Sequence, residues 1–155
     1  MSKIIIGCDP DSKASGIAVY KNGNLDKLEC MPLIDIMQLF KDLAMYDPKA
    51  ELHIENVNGI SAAFTGRDKR NGNKDASLAV KMKMAQQIGM CKQAQIEIER
   101  AAKHCGVKVV HHKVSKMWKD SKRGKAQLKL STGYDGRSNE DTRSAAYFGW
   151  LGTRV

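Results

Sequence analysis

Three acids stand where chemistry could be done. Asp9 ends the apolar run Ile4-Ile5-Ile6-Gly7-Cys8, Glu55 ends Leu52-His53-Ile54, and Asp141 lies in the first turn of a helical stretch that begins near Asn139. Each has an ordinary explanation when taken singly. Asp9 suits a turn or N-cap, and an acid in a first helical turn complements the helix dipole. Together they suggest more, because functional groups of open α/β sheets gather beyond strand ends and where connectivity reverses. Three carboxylates converging without basic partners repel one another unless a divalent cation lies between them. Ligation by oxygen alone selects magnesium or manganese over zinc. Two such ions about 4 Å apart activate water and stabilise the leaving oxygen in phosphodiester cleavage.

The elements that must position these acids can be read in order. After Asp9, Ser15-Gly16-Ile17-Ala18-Val19-Tyr20 reads as the returning arm of a hairpin. Lys21-Asn22-Gly23-Asn24 is a turn, and Leu25 to Met31 a third strand at the sheet edge. Pro32 opens a helix that buries Leu33, Ile36, Met37, Phe40, Leu43 and Ala44 on one face and stops at Asp47-Pro48. Glu51 to Val57 is a short central strand. From about Ser77 to Cys105, Met84, Ile88, Cys91, Ala94, Ile98 and Ala101 recur at helical spacing, with Gly106 as the stop. Part of that stripe faces either the sheet or a second subunit. Val107 to His111 is a strand, and Ala145, Ala146, Phe148, Trp150 and Leu151 of the last helix point inward. Strand, helix, strand implies a right-handed crossover. The expected fold is therefore α/β, a mixed central sheet with a three-stranded antiparallel meander plus parallel strands, flanked by helices. The first strand would be central, with Glu55 on its neighbour and the last helix across both.

The 155 residues suit a single domain, 1–155, and a net charge of +9 favours a polyanionic partner. There is no run of membrane-spanning length and no signal peptide, so a cytoplasmic protein without a membrane partner is expected. Cys8, Cys30, Cys91 and Cys105 show no CxxC spacing and read as reduced thiols. Basic residues concentrate in two tracts. The first, over 61–83, carries Arg67, Lys69, Arg70, Lys74 and Lys81 and is either a solvated loop or a DNA-contacting one. The second, Lys113 to Lys129, carries Lys116, Lys119, Lys122 and Arg123, with Met117 and Trp118 as its anchors to the core. Lys116 and Lys119 are placed as solvated lysines beside the tryptophan, with phosphate neutralisation as the competing role. His104, Cys105, His111 and His112 match no zinc-ligand spacing. His53, out of phase with Leu52 and Ile54, belongs to the opposite sheet face.

Three motifs in this order resemble the RuvC-like Holliday junction resolvases of the ribonuclease H-like superfamily, in their compact phage and poxvirus form. They are Ile5-Ile6-Gly7-Cys8-Asp9-Pro10 with Gly16-Ile17-Ala18, then Leu52-His53-Ile54-Glu55, then Glu140-Asp141-Thr142-Arg143-Ser144-Ala145-Ala146. The resemblance covers nearly the whole chain. It implies a ribonuclease H-like fold, Asp9, Glu55 and Asp141 as catalytic metal ligands, and magnesium, replaceable by manganese. It implies a homodimer that resolves branched DNA by paired nicks, with the basic tracts on the junction arms, in a bacterial cytoplasm or an infected host cell. Two departures stand out. Asp11 replaces a glycine in the first turn and adds negative potential. Ser144 stands where bacterial members carry a further Asp, leaving Glu140 or Ser144 as the candidate fourth ligand. The competing functions are a ribonuclease H-type nuclease on RNA–DNA hybrids, a non-catalytic nucleic-acid-binding relative, and an actin–sugar kinase type ATP site. The last of these needs two domains.

Overall fold

The computed structural model describes residues 3–59, 67–68, 74–75 and 77–155. In order these form β1 (Ile4–Asp9), β2 (Ser15–Lys21), β3 (Asn24–Met31), α1 (Leu33–Tyr46) and β4 (Glu51–Glu55). A 3-10 turn (Val57–Gly59) and the short pair β5 (Arg67–Asp68) and β6 (Lys74–Asp75) follow. Then come α2 (Leu78–His104), β7 (Lys108–His112), α3 (Ser121–Thr132) and α4 (Glu140–Thr153). The main sheet has the order β3-β2-β1-β4-β7. β1 runs antiparallel to β2 and parallel to β4, which is parallel to β7. The meander, the parallel strands and the central place of β1 are as the sequence predicts.

Period-two alternation divides the sheet into two apolar faces. Ile4, Ile6, Cys8, Ile17, Val19, Leu52 and Ile54 pack under Ile36, Phe40 and Leu43 of α1 and Ile98, Ala101 and Ala102 of α2. Ile5, Ala18 and Tyr20 face the other way, with Ala145 and Ala146 of α4, Leu128 of α3 and Trp118. α4 lies against the sheet almost without intervening side chains. A Cβ on Gly7 would stand 2.0 Å from the Ala145 carbonyl oxygen, and one on Gly16 would stand 2.1 Å from that of Asp141. The Tyr20 hydroxyl donates to the Ala146 carbonyl at 2.7 Å and fixes the helix further along.

Helix limits follow local capping. Ser77 caps α2 by accepting from the Val80 amide, and Asn139 and Thr142 form a reciprocal capping box at the start of α4. Within the second basic tract, whose secondary structure the sequence left unassigned, residues 121–132 form α3. Asp120 accepts from the Lys122 and Arg123 amides, and Gly133 closes the helix in the left-handed region at φ 77°. Trp118 is buried as expected, whereas Met117, expected beside it in the core, is 51% exposed. The apolar stripe of α2 reaches the core only near its C-terminus. Gln95, Ile98, Ala101 and Ala102 are buried there, while Leu78, Met82 and Met90 are exposed.

Substituting Gly7→Ala should force α4 off the sheet and lower stability by about 3 kcal/mol, the upper range of overpacking costs. Urea unfolding checks this, and an unchanged midpoint would mean that the helix is not seated this closely.

Candidate metal and nucleic-acid site

The parallel register places two of the acids side by side. Gly7 pairs with His53 and Cys8 with Ile54. One residue further, Asp9 and Glu55 end neighbouring strands, which in sheets lie about 4.8 Å apart. Cys8 and Ile54 belong to the core under α1 and α2, so alternation turns Asp9 and Glu55 to the α4 side. On the other flank Asp9 pairs with Gly16. Because Gly16 has no side chain, the first turn of α4 can rest on it, which brings Asp141 to the same end of the sheet. Ser144, one turn later, is fully buried. All three predicted acids are thus drawn together.

Their electrostatics carry the mark of that crowding. Asp9 is 5% exposed and Glu55 3%. Asp9 Oδ2, Glu55 Oε2 and Ser144 Oγ are buried without a hydrogen-bond partner. Burial pushes the Asp9 carboxyl up, opposed by the Lys119 ammonium and by the Ser144 hydroxyl, which leans towards it without a fully formed bond. Glu55 is pushed up to about 7, by burial first and then by the Asp9 and Asp141 carboxylates, while Lys119 pulls it down. Asp141 is raised by burial and by Asp9, Asp11 and Glu140. Asp11 therefore adds the negative potential expected of it. Its own carboxylate accepts from the Ser12 amide.

Lys119 stands elsewhere than expected. It is not a solvated lysine: its Nζ lies 3.4 Å from Asp9 Oδ2, with the side chain 26% exposed. That is close enough for charge attraction, although not aligned as a hydrogen bond. Burial alone would lower its pKa, but Asp9 and Glu55 more than reverse this and hold it protonated. Lys116, Lys122 and Arg123 are exposed, and Lys81 is half-buried in the first turn of α2. Arg67 and Lys74 lie on β5 and β6, while Lys69 and Arg70 fall outside the described residues.

Two residues passed over in the sequence support the site. Gln95 of α2, 1% exposed, accepts from the Asn58 amide at 3.0 Å and donates to Asn56 Oδ1 at 3.0 Å, fixing the chain just after Glu55. Arg143 of α4 donates to the Trp118 and Lys119 carbonyls. The histidines have other partners. His111 meets Glu99 at 2.8 Å and His112 meets His53 at 2.8 Å.

Among the described residues no three His, Cys, Asp or Glu side chains form a ready-made enclosure for an ion. The fit of a divalent cation rests instead on the buried carboxylate oxygens of Asp9 and Glu55 that accept no hydrogen bond. An open all-oxygen set of this kind suits a hard cation that retains water and substrate ligands.

Sequence comparison finds no matching family model and no matching curated protein. Solved structures do match. RuvC of T. thermophilus in complex with a Holliday junction substrate aligns at a TM-score of 0.58 and 12% identity, over 97% of this chain and 96% of that one. A second structure of Thermus thermophilus RuvC aligns at 0.55 and 14% identity, over 95% and 91%. The likeness at such low identity is one of fold, and it spans nearly the entire chain.

The raised Glu55 pKa sets a pH test. A carboxyl whose folded pKa is about 7 against an ordinary 4.5 stabilises the fold fully below the lower value. That contribution is lost as pH rises through the upper one. In chelator, wild type should therefore lose thermal stability relative to Glu55→Gln between those two pH values. A gap that does not vary with pH would sink the burial argument.

Proposed function

We propose that this chain, built on the fold of RuvC, is a metal-dependent endodeoxyribonuclease that resolves four-way or otherwise branched DNA junctions. One observation carries the reading. Two buried carboxylates, each with an oxygen that accepts no hydrogen bond, end adjacent parallel strands, and the first acid-bearing turn of α4 closes over them. Burying such oxygens without hydrogen bonds costs stability, and the Lys119 ammonium beside Asp9 offsets only part of it. Loss of the acids would help a protein that merely binds phosphate backbones.

Asp9, Glu55 and Asp141 would hold the metal, with Ser144 or Glu140 completing the set. Ser144 is the buried neighbour of Asp9, and Glu140 is exposed. The chemistry supplied there when magnesium, or manganese in its place, is bound is charge neutralisation at the phosphate and acidification of the attacking water. The chain itself contributes placement. β1 and β4 hold two acids rigidly, α4 adds the third, and Lys119 presents an ammonium at the same spot, suited to a non-bridging phosphate oxygen. The basic tracts, one with Lys116 ahead of α3 and Lys122 and Arg123 in its first turn, the other with Arg67, Lys69, Arg70, Lys74 and Lys81 in the sequence 67–81, would follow the DNA arms. A single domain acts as a homodimer through the exposed apolar half of α2, so that two sites meet opposed strands. Among the described residues no helix is long and apolar enough to cross a membrane.

The deciding experiment compares cleavage of an immobile four-way junction, a matched duplex and an RNA–DNA hybrid in magnesium, manganese or chelator. Paired, metal-dependent nicks confined to the junction are expected, and cutting of the hybrid alone would move the substrate to RNA. Asp9→Asn and Glu55→Gln should reduce cleavage to background while junction binding stays equal or tightens. Wild-type rates in either variant would refute the metal site. Replacing Arg67, Lys69, Arg70 and Lys74 together with serine should flatten the salt dependence of binding, by roughly 0.9 log unit for each phosphate that is no longer neutralised. An unchanged slope would return that tract to ordinary solvated loop.

A further inference from the structure

Arg143 is 3% exposed on α4, two residues after Asp141 and one before Ser144. No carboxylate is in direct contact with it among the described residues, and the exposed Asp120 acts on it only through space. Its donors go to neutral oxygens: Nε to the Trp118 carbonyl at 2.9 Å, Nη2 to the Lys119 carbonyl at 2.8 Å, and Nη1 to Ser138 Oγ at 3.1 Å. A buried cation without a carboxylate in contact is an expensive way to fill space, and an apolar side chain of similar volume would pack there at lower cost. What the rigid guanidinium fork provides is direction: it locks two successive carbonyls and so fixes the orientation of the peptide between them.

That peptide needs fixing. Trp118 sits at φ 65°, in the left-handed region that a bulky residue does not hold unaided. Its ring is wedged against Tyr147 and Trp150 of α4, both at 5.5 Å. From the other side Gly124 of α3 admits the turn, since a Cβ there would stand 2.1 Å from the Trp118 carbonyl oxygen and 3.2 Å from Arg143 Nε. Held in this way, the backbone of residue 119 can send its side chain to Asp9, where Nζ stands 3.4 Å from Oδ2.

We propose that Arg143 is a positioning residue, whose guanidinium holds the Trp118–Lys119 turn against α4 so that the Lys119 ammonium is delivered to the acid cluster. One helix then carries Asp141 on one side and the clamp for Lys119 on another, and the acid and the cation keep a common register. The proposal rests on the nuclease reading for its purpose but not for its geometry.

Two measurements test it separately. In metal-free protein labelled at lysine 13Cε, the Lys119 resonance, assigned by its loss in Lys119→Met, should stand apart from the solvated lysines. It should merge with them in Arg143→Met and also in Gly124→Ala, which pushes on the turn without altering any charge. A resonance unmoved in both variants overturns the proposal, and Gly124→Ala alone decides the matter if Arg143→Met does not fold. In single-turnover junction cleavage, Lys119→Met and Arg143→Met should each slow the reaction by about 100-fold, the cost of a small misplacement at a reacting centre. The double variant should be no more than about twofold slower than Lys119→Met, since a misdirected lysine and an absent one are equivalent. Multiplying losses would show that Arg143 acts elsewhere and overturn the proposal. If wild type cuts no junction, the nuclease reading fails and the resonance still judges Arg143.

Discussion

Helix α4 meets the sheet backbone to backbone, and the site depends on that contact. Gly7 and Gly16 present bare peptide to the Ala145 and Asp141 carbonyls, at separations that any Cβ would abolish. Gly149 and Gly152 do the same from the helix, leaving room for the Tyr20 and His53 rings. A helix laid on ordinary side chains stands well clear of a sheet, and Asp141 would then be left far from Asp9. Close seating lets a carboxylate on a helix share a locality with two on strands.

The same contact is opposed by the charges that it collects. Asp9, Glu55 and Asp141 are each pushed towards the neutral form by burial, and each also by a neighbouring carboxylate, Asp11 in the case of Asp9. What holds them is spread over the fold. Apolar burial is worth about 1.5–3 kcal/mol per large side chain, and Ile4, Ile6, Leu52 and Ile54 fix the two strands from the opposite face. The Asn139–Thr142 capping box and the Tyr20 hydroxyl pin α4. Lys119 offsets part of the repulsion directly. The stable side of the sheet thus supports the strained one, and the aliphatic core under α1 and α2 has a functional consequence although none of it touches the acids.

Much of this was legible in the chain. Unbroken β-branched runs ending in an acid report buried strands and their ends, and periodicity alone placed α1, α2 and α4. What escaped was set by contacts distant in sequence. α3 is polar on most of its surface, with only Gly124 and Leu128 buried, so hydrophobic periodicity is faint. Its two punctuation marks, Asp120 and Gly133, were the readable signals. Lys119 looked like any lysine in a basic run, because nothing nearby in sequence reports a carboxylate 110 positions earlier. Nothing in the third motif marks Arg143, because its partners, the Trp118 and Lys119 carbonyls, lie 25 and 24 positions earlier. Gln95 was hidden likewise, within a stripe judged by its apolar members.

The distribution of the acids along the chain has a consequence for the newborn protein. Asp9 and Glu55 lie in its first half and Asp141 close to residue 155. The ribosome therefore releases two carboxylates on the order of 10 s before the third, at the usual pace of synthesis. Through that interval β1 and β4 have no α4 to close over them, and Lys119 has no Arg143 to direct it. A nascent chain can assemble its sheet while the acid cluster is still incomplete. Chains truncated before residue 140 would lack Asp141 and the helix that carries it, so premature termination leaves the acid cluster unassembled.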